Sequence, residues 1–398
     1  MSVRRLQGQI RSYAWGSRTV IAQLQGRPAP SDQPEAELWL GAHPDDPATL
    51  QEPGPPVSLA ARIGEDPEGQ LGARVVDEYG ARLPYLMKVL AAAAPLSLQA
   101  HPDAAYAKAA FAAQQADPSA PRNYTDPFHK PEMLVALTPF DALCGFRAPE
   151  VSAAVLQELA VPALDPVIAE LRTGVPGLPG AVRALLTWPA ADRAGLIEAA
   201  VAGASGRAAE HPYATDVALA VELAKHYPAD PGVLVALLLN RVRLAPGEAL
   251  WMPAGNLHAY LQGGGVEIMA ASDNVLRGGL TPKRVDVDEL LKVLRFEVLD
   301  EVILPAVQVA PGVSTWPVPV RDFVLHRVQL DASRPSVAVP VEGPRIVLCV
   351  AGEVTVAGGS DGAVVRIAAG ASAFASADAD AGLTLSGTGE VFVASVAP

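Results

Sequence analysis

Three of the chain's seven histidines stand in short motifs with the make-up of a metal site. In Pro95-Leu-Ser-Leu-Gln-Ala-His-Pro102 the residue types alternate, so on a strand Leu96, Leu98 and Ala100 face one way and Ser97, Gln99 and His101 the other. Three polar groups on one face are either the wet side of an edge strand or the wall of a site, because a buried, unpaired polar group costs about 1–3 kcal/mol. In Asp126-Pro-Phe-His-Lys-Pro-Glu-Met133, His129, Lys130 and Glu132 crowd around two prolines ahead of an apolar run. Read alone, that is a charged loop before a strand. In Trp251-Met-Pro-Ala-Gly-Asn-Leu-His-Ala-Tyr260 a Pro-Gly turn delivers His258 and Tyr260 to one strand face. A lone histidine beside aromatics is otherwise a satisfied core residue. The combination carries more than its parts: two histidines, a carboxylate and an amide oxygen form a nitrogen and oxygen shell for a divalent metal, with room for water or substrate. With no thiolate in the set, manganese, cobalt or ferrous iron would fit as well as zinc.

These motifs need elements to hold them. Residues 1–150 carry short apolar runs broken by Pro and Gly, which predict strands and one helix near 104–115. Residues 151–232 are rich in Ala, Leu and Glu and predict several short helices. Strand-like sequence resumes at Val233 and continues to about 300, with a helical segment near 287–294. The helical block is therefore expected as an insertion within a β domain, and its position suggests a lid. From about 301 to 398, β-branched runs alternate with Gly-rich turns, as in an all-β barrel or sandwich. The segment from Arg243 through Gly247 to Trp251 aligns without gaps on Arg366 through Gly370 to Phe374. If that similarity is real, the chain holds two related β units; His258 of the first then corresponds to Ala381 of the second, and only the first could bind a metal.

A formal charge of −13 works against nucleic acid and acidic membrane surfaces, so an anionic substrate must meet a local cluster of Lys and Arg. No apolar run reaches membrane-spanning or signal-peptide length, and a cytoplasmic location is expected. Cys144 and Cys349 lie in apolar surroundings and read as reduced core thiols. Lys88, inside an apolar strand, either pairs with a buried acid or snorkels to the surface. Lys283 and Arg284 either help bind an anion or sit on a solvated helix start.

A resemblance sharpens these readings. Tyr13-Ala-Trp-Gly-Ser17, Glu37-Leu-Trp-Leu-Gly-Ala-His-Pro44, Pro84-Tyr-Leu-Met-Lys-Val-Leu90, His-Lys-Pro-Glu-Met, Pro-Ala-Gly-Asn-Leu-His-Ala-Tyr and Ala271-Ser-Asp-Asn-Val-Leu-Arg-Gly-Gly-Leu-Thr-Pro-Lys283 follow one another as in the type I phosphomannose isomerases. The chain resembles that family over most of residues 10–295, and its last hundred residues do so only in β character. The resemblance implies a mainly β fold with an inserted helical domain and two cupin-type jelly-roll barrels. The parts would be a catalytic barrel from 1–150 and 233–300, helices at 151–232, and a metal-free barrel at 301–398. It implies one zinc ion per chain on Gln99, His101, Glu132 and His258. Trp15, Glu37, Ser97, Tyr260, Glu267 and Lys283 would bind substrate, and Lys130, Arg277, His129 and Asp273 would carry catalysis.

The implied reaction interconverts mannose 6-phosphate and fructose 6-phosphate, supplying mannose and GDP-mannose metabolism. It moves a proton between C2 and C1 through an enediol. Lys130 or a metal-bound hydroxide is the expected shuttle, His129 the group that helps open the ring, and Arg277 the group that meets the developing oxyanion. Ser97, Arg277 and Lys283 are candidates for the phosphate. The expected partner is a small sugar phosphate, with no nucleic acid and no membrane, and a monomer is favoured. A ferrous cupin oxygenase shares the histidine and carboxylate set, but the cluster of Lys and Arg argues for an anionic sugar.

Overall fold

The computed structural model describes residues 2–398 apart from 53, 120, 206–210, 360 and 378–381. Its strands form two sheets of 11 strands each. The first runs in the order Ile303–Leu304, Ala249–Met252, Glu132–Ala136, His258–Ala270, Tyr85–Ala92, Glu37–Leu40 and Gln9–Arg11, with Phe140–Phe146, Leu239–Leu244, Gln99–Ala100 and Leu276–Arg277 attached. The fold is mainly β with a helical insertion, as the sequence predicts. Among the described residues no helix is long and apolar enough to cross a membrane.

Period-two alternation sorts side chains between two cores. Tyr85, Met87, Val89, Met133, Val135, Val266 and Ile268 pack in one core together with Ile346, Leu348, Phe374 and Phe392 of the second sheet. Leu90, Leu134, Ala136 and Tyr260 turn to the other side, where they share a smaller core with Phe140 and Met252. Lys88, Glu132 and Glu267 occupy that same inward row, since Lys88 lies two residues before Leu90 and Glu132 two before Leu134. The register confirms it: Glu267 lies directly opposite Lys88 on one neighbour and opposite Leu134 on the other.

The long strand His258–Ala270 changes partners halfway. Its first part pairs with Phe140–Phe146 and its second with Tyr85–Ala92 and Glu132–Ala136, with a register shift between Tyr260 and Gln262. Gly263, at φ +134°, sits at the turn, and a Cβ there would lie 2.6 Å from the Phe140 ring. Only glycine lets the strand bend at that point, and the bend brings Tyr260 and Glu267 of one strand face to face.

The helical block backs the site; it is not built as a lid. Its core joins Leu156, Leu185, Leu219 and other helix residues to Leu98, Ala100, Ala259, Leu261 and Leu276. Those are the residues that alternate with Gln99, His101, His258, Tyr260 and Arg277. The apolar rows therefore hold the helices, and the polar rows are left for the other side.

The structure departs from expectation in several places. Three short helices, Leu59–Glu65, Pro67–Leu71 and Ala73–Tyr79, fall where strands and loops were predicted. Their signals were present: Ser58 accepts from the Ala61 N–H, Asp66 accepts from the Gly69 N–H, and Pro67 follows as a helix start. Gly232–Ala236 is a helix, not the resumption of a strand. All its residues are buried, and a uniformly apolar run has no period to reveal its type. Val3–Gln7, Thr49–Gln51 and Val57–Ser58 pair into the second sheet, while Ile303–Leu304 edges the first, so neither sheet is continuous in sequence. The aligned segments are both strand-turn-strand, with Gly247 at φ +90° and Gly370 at φ +79°. Ala381 lies outside the described residues.

Candidate metal centre

Glu132 opens its strand next to the Met252 strand, and His258 opens the long strand opposite Gln99. This arrangement brings Glu132 Oε2 to 3.4 Å from His101 Nε2 and 3.3 Å from His258 Nε2. All three atoms are buried and lack a hydrogen-bond partner. Three orphaned polar atoms at one point have a cost that a bound ion would remove. Each imidazole donates its Nδ1–H to a backbone carbonyl, His101 to Asn274 at 2.7 Å and His258 to Asn256 at 3.1 Å. Both rings are thereby oriented with Nε2, the nitrogen left for a metal, toward Glu132. Burial drives the His101 imidazole down to about 4, against the pull of Glu132, so it stays neutral. Burial alone would raise the Glu132 carboxyl, but the Lys130 ammonium outweighs it and holds it well below the ordinary carboxylate range. The residues present fit a zinc ion: two imidazole nitrogens and one carboxylate. Gln99, half-buried and directly opposite His258, is placed to add an amide oxygen.

A charged network lines the adjoining wall. Lys130, buried like its partner, sits 2.8 Å from Glu132 Oε1. Lys88 Nζ lies 3.2 Å from Glu267 Oε2 and 3.4 Å from Glu37 Oε1, so this lysine pairs with buried acids and does not snorkel. Burial opposes its ammonium, yet Glu37, Glu267 and Glu132 raise its pKa above the ordinary lysine value. Burial pushes the Glu267 carboxyl up, with Lys88 opposing. Tyr260 donates its O–H to Glu267 Oε1 at 2.7 Å, and the Trp39 indole N–H donates to Glu37 Oε2 at 2.8 Å. Arg277 lies opposite Gln99. It makes no hydrogen bond or ion pair among the described residues, and burial lowers its pKa. Ser97 is half-buried on the face of Gln99, and Trp15 packs against the core that holds Tyr260.

Asp273 pairs with a residue the sequence reading passed over. His43 Nε2 is 3.1 Å from Asp273 Oδ2 and the ring is buried. Its motif, Glu37-Leu-Trp-Leu-Gly-Ala-His-Pro44, points to Glu37 in the sequence and gives no separate signal for His43. Two predicted residues are not drawn in. His129 Nε2 is 2.9 Å from Asp322 Oδ2, a carboxylate of the segment that joins the second sheet, while Lys130, the next residue, turns to Glu132. Lys283 is exposed and lines a separate cavity of about 480 Å³ with Arg193, Asp230 and Arg284. The chain leaves the sheet after Arg277, so the five residues between them carry Lys283 away.

Residues 3–149 match the family described as phosphomannose isomerase type I, catalytic domain. The chain is 37% identical to mannose-6-phosphate isomerase of Escherichia coli (strain K12) over 98% of each chain. It is 33% identical to mannose-6-phosphate isomerase 1 of Arabidopsis thaliana over 88% of this chain and 84% of that one. Among solved structures, a mutant of phosphomannose isomerase from Salmonella typhimurium matches at 35% identity, covering 100% of both chains with a TM-score of 0.90. A mannose 6-phosphate isomerase bound with zinc and yttrium matches over the same extent with a TM-score of 0.89.

Proposed function

The chain belongs to the type I phosphomannose isomerase family and is a metal-dependent mannose-6-phosphate isomerase; from that premise we propose how its residues share the work. The observation that carries the proposal is the convergence of His101 Nε2, Glu132 Oε2 and His258 Nε2, orphaned and buried, beside the lysine of the same motif. Gln99, His101, Glu132 and His258 hold zinc. Bound there, zinc supplies Lewis-acid stabilisation of the negative charge that develops on the sugar oxygens.

Lys130 is proposed to take the proton from one sugar carbon and return it to the other through the enediol, after the ammonium proton it shares with Glu132 has passed to solvent. Arg277, half-buried and unpaired among the described residues, meets the developing oxyanion or the phosphate, and Ser97 is a second group for the phosphate. Ring opening passes from His129 to the His43 and Asp273 pair, because that pair combines a buried imidazole with a carboxylate in hydrogen-bond contact. Glu37, Lys88, Tyr260 and Glu267 form a fixed polar wall for the sugar hydroxyls, and Trp15 closes the apolar side. Lys283 acts on the phosphate from outside the cluster, through long-range attraction. The proposal extends to a cytoplasmic monomer.

The test is a coupled assay of fructose 6-phosphate formed from mannose 6-phosphate by protein as purified, after chelation, and after zinc is restored. Activity lost on chelation and regained with zinc is the expected result. A folded, zinc-loaded protein with no activity would overturn the proposal.

A further inference from the structure

Neither the ligands nor the lysine explain what fixes their positions, since Thr125 to Pro131 is loop and the Asn274 segment lies outside any strand. One side chain joins the two. Asn274, 1% exposed, accepts at Oδ1 from the Thr125 N–H at 2.9 Å, the Thr125 hydroxyl at 3.3 Å and the Asp126 N–H at 3.4 Å. Its Nδ2 donates to the Asp126 carbonyl and the Phe128 carbonyl, both at 2.8 Å, and to Asp126 Oδ1 at 3.2 Å. Its own backbone carbonyl receives the His101 Nδ1–H. Asp126 closes the link from the loop side: Oδ1 accepts from the Ser272 hydroxyl at 2.8 Å and Oδ2 from the Asp273 N–H at 2.9 Å. Ser272 Oγ in turn accepts from the Asn274 N–H at 3.2 Å.

We propose that Asn274, Asp126 and Ser272 form a positioning unit that sets zinc affinity, by fixing the orientation of His101 and the approach of the loop that carries Lys130 and Glu132. This deepens the reading above and rests on its zinc ligands. The chemistry leaves little freedom at residue 274. An amide presents two donors and an acceptor on one short stem, and here every one of them is used. Aspartate would set an acceptor against two carbonyl oxygens, and alanine would remove the side-chain partner of the Asp126 carbonyl and of the Thr125 and Asp126 N–H groups and leave the Phe128 carbonyl only the Ser272 hydroxyl at 3.2 Å. The unit also reaches Asp273 through its N–H, so ring opening and metal binding share one support. A partner that orients a metal-bound histidine typically contributes about 10–100-fold in metal affinity.

The experiment compares the full-length wild type with Asn274→Ala and Ser272→Ala, each stripped of metal and titrated with zinc against a competing chelator. The cobalt(II) absorption spectrum of each protein reports ligand geometry directly. Thr315→Val, which removes a buried hydroxyl bonded to the Leu325 carbonyl in the second sheet, is the control for loss of stability alone. Expected are zinc binding weakened by about 10–100-fold in Asn274→Ala, a smaller loss in Ser272→Ala, an altered cobalt spectrum in both, and neither change in Thr315→Val. If Asn274→Ala does not fold, Ser272→Ala decides. Zinc affinity within about twofold of wild type and an unchanged spectrum in the folded variants would overturn the positioning unit. Failure of wild type itself to bind zinc would instead overturn the ligand assignment on which it rests.

Discussion

The two sheets have the same number of strands and contain similar strand-turn-strand segments, yet they treat their inward rows in opposite ways. In the second sheet Val328, Val347, Cys349, Val391, Val393, Leu385 and Ile367 fill an aliphatic core. In the first, Lys88, Glu132 and Glu267 replace aliphatic residues in the same kind of row, with Tyr260 and both histidines beside them. Burying an ion pair gives up about as much hydration as it regains in attraction, so that interior adds little to stability. What it provides is a set of charges held in place before any substrate arrives, which is the form electrostatic catalysis requires. A similar sheet architecture thus carries stability in one sheet and chemistry in the other.

The contrast is tested most severely at Lys130. Lys130→Met keeps the length of the side chain and removes the base, and turnover should fall by at least about 100-fold with zinc still bound. Zinc content measured on the same sample separates loss of the base from loss of the metal. Retention of more than about a tenth of wild-type turnover would remove Lys130 from the proton-transfer step.

A smaller difference is expected at the two candidates for ring opening. His43→Ala should lower kcat by about tenfold or more, whereas His129→Ala, whose ring is bonded to Asp322, should act chiefly on the contact with the second sheet and on thermal stability. The reverse order of effects on kcat would restore His129 to the reaction. For the phosphate, Arg277→Ala should raise KM or lower kcat, and the split tells a binding role from a transition-state role. Lys283→Ala should change KM by only about two- to threefold, and less at high salt, because an exposed cation is screened.

How much of this was legible depended on whether a periodic element governed the residue. Gln99 and His101 could be placed because Leu96, Leu98 and Ala100 bury the opposite face, and the structure keeps that alternation. Lys88 stands between two readings in the sequence, since a strand shows which side a lysine faces but not which acids wait there. His129 and Lys283 lie in loops, where neighbouring residues have no fixed relation, and both were placed by proximity in sequence. Asn274 was missed for a related reason. An asparagine in a loop reads as a turn residue, and nothing in the sequence shows that its partners are some 150 positions earlier.

His326 is one of the buried polar residues of the second sheet, with Thr315 and Arg345 in the same inward row, and it supplies the finest test of the contrast. His326 lies on the same face as Val324 and Val328 and lines a cavity of about 780 Å³ with Arg345, Leu71 and Val75. Its Nδ1 is buried without a partner, and burial drives the imidazole down to about 4 from 6.5. Between those values the unfolded chain binds a proton that the folded chain refuses, so stability falls as the solution is acidified through that window. Above it the contribution is complete. His326→Gln should therefore flatten the loss of Tm across the window without changing zinc affinity or kcat. His101 has a depressed value of its own and adds a similar slope in metal-free protein. The informative quantity is the difference between wild type and variant, both zinc-free, as pH is lowered. An unchanged slope would mean that His326 is reached by water or finds a partner on protonation, and that the interior of the second sheet is less strictly apolar than the contrast requires.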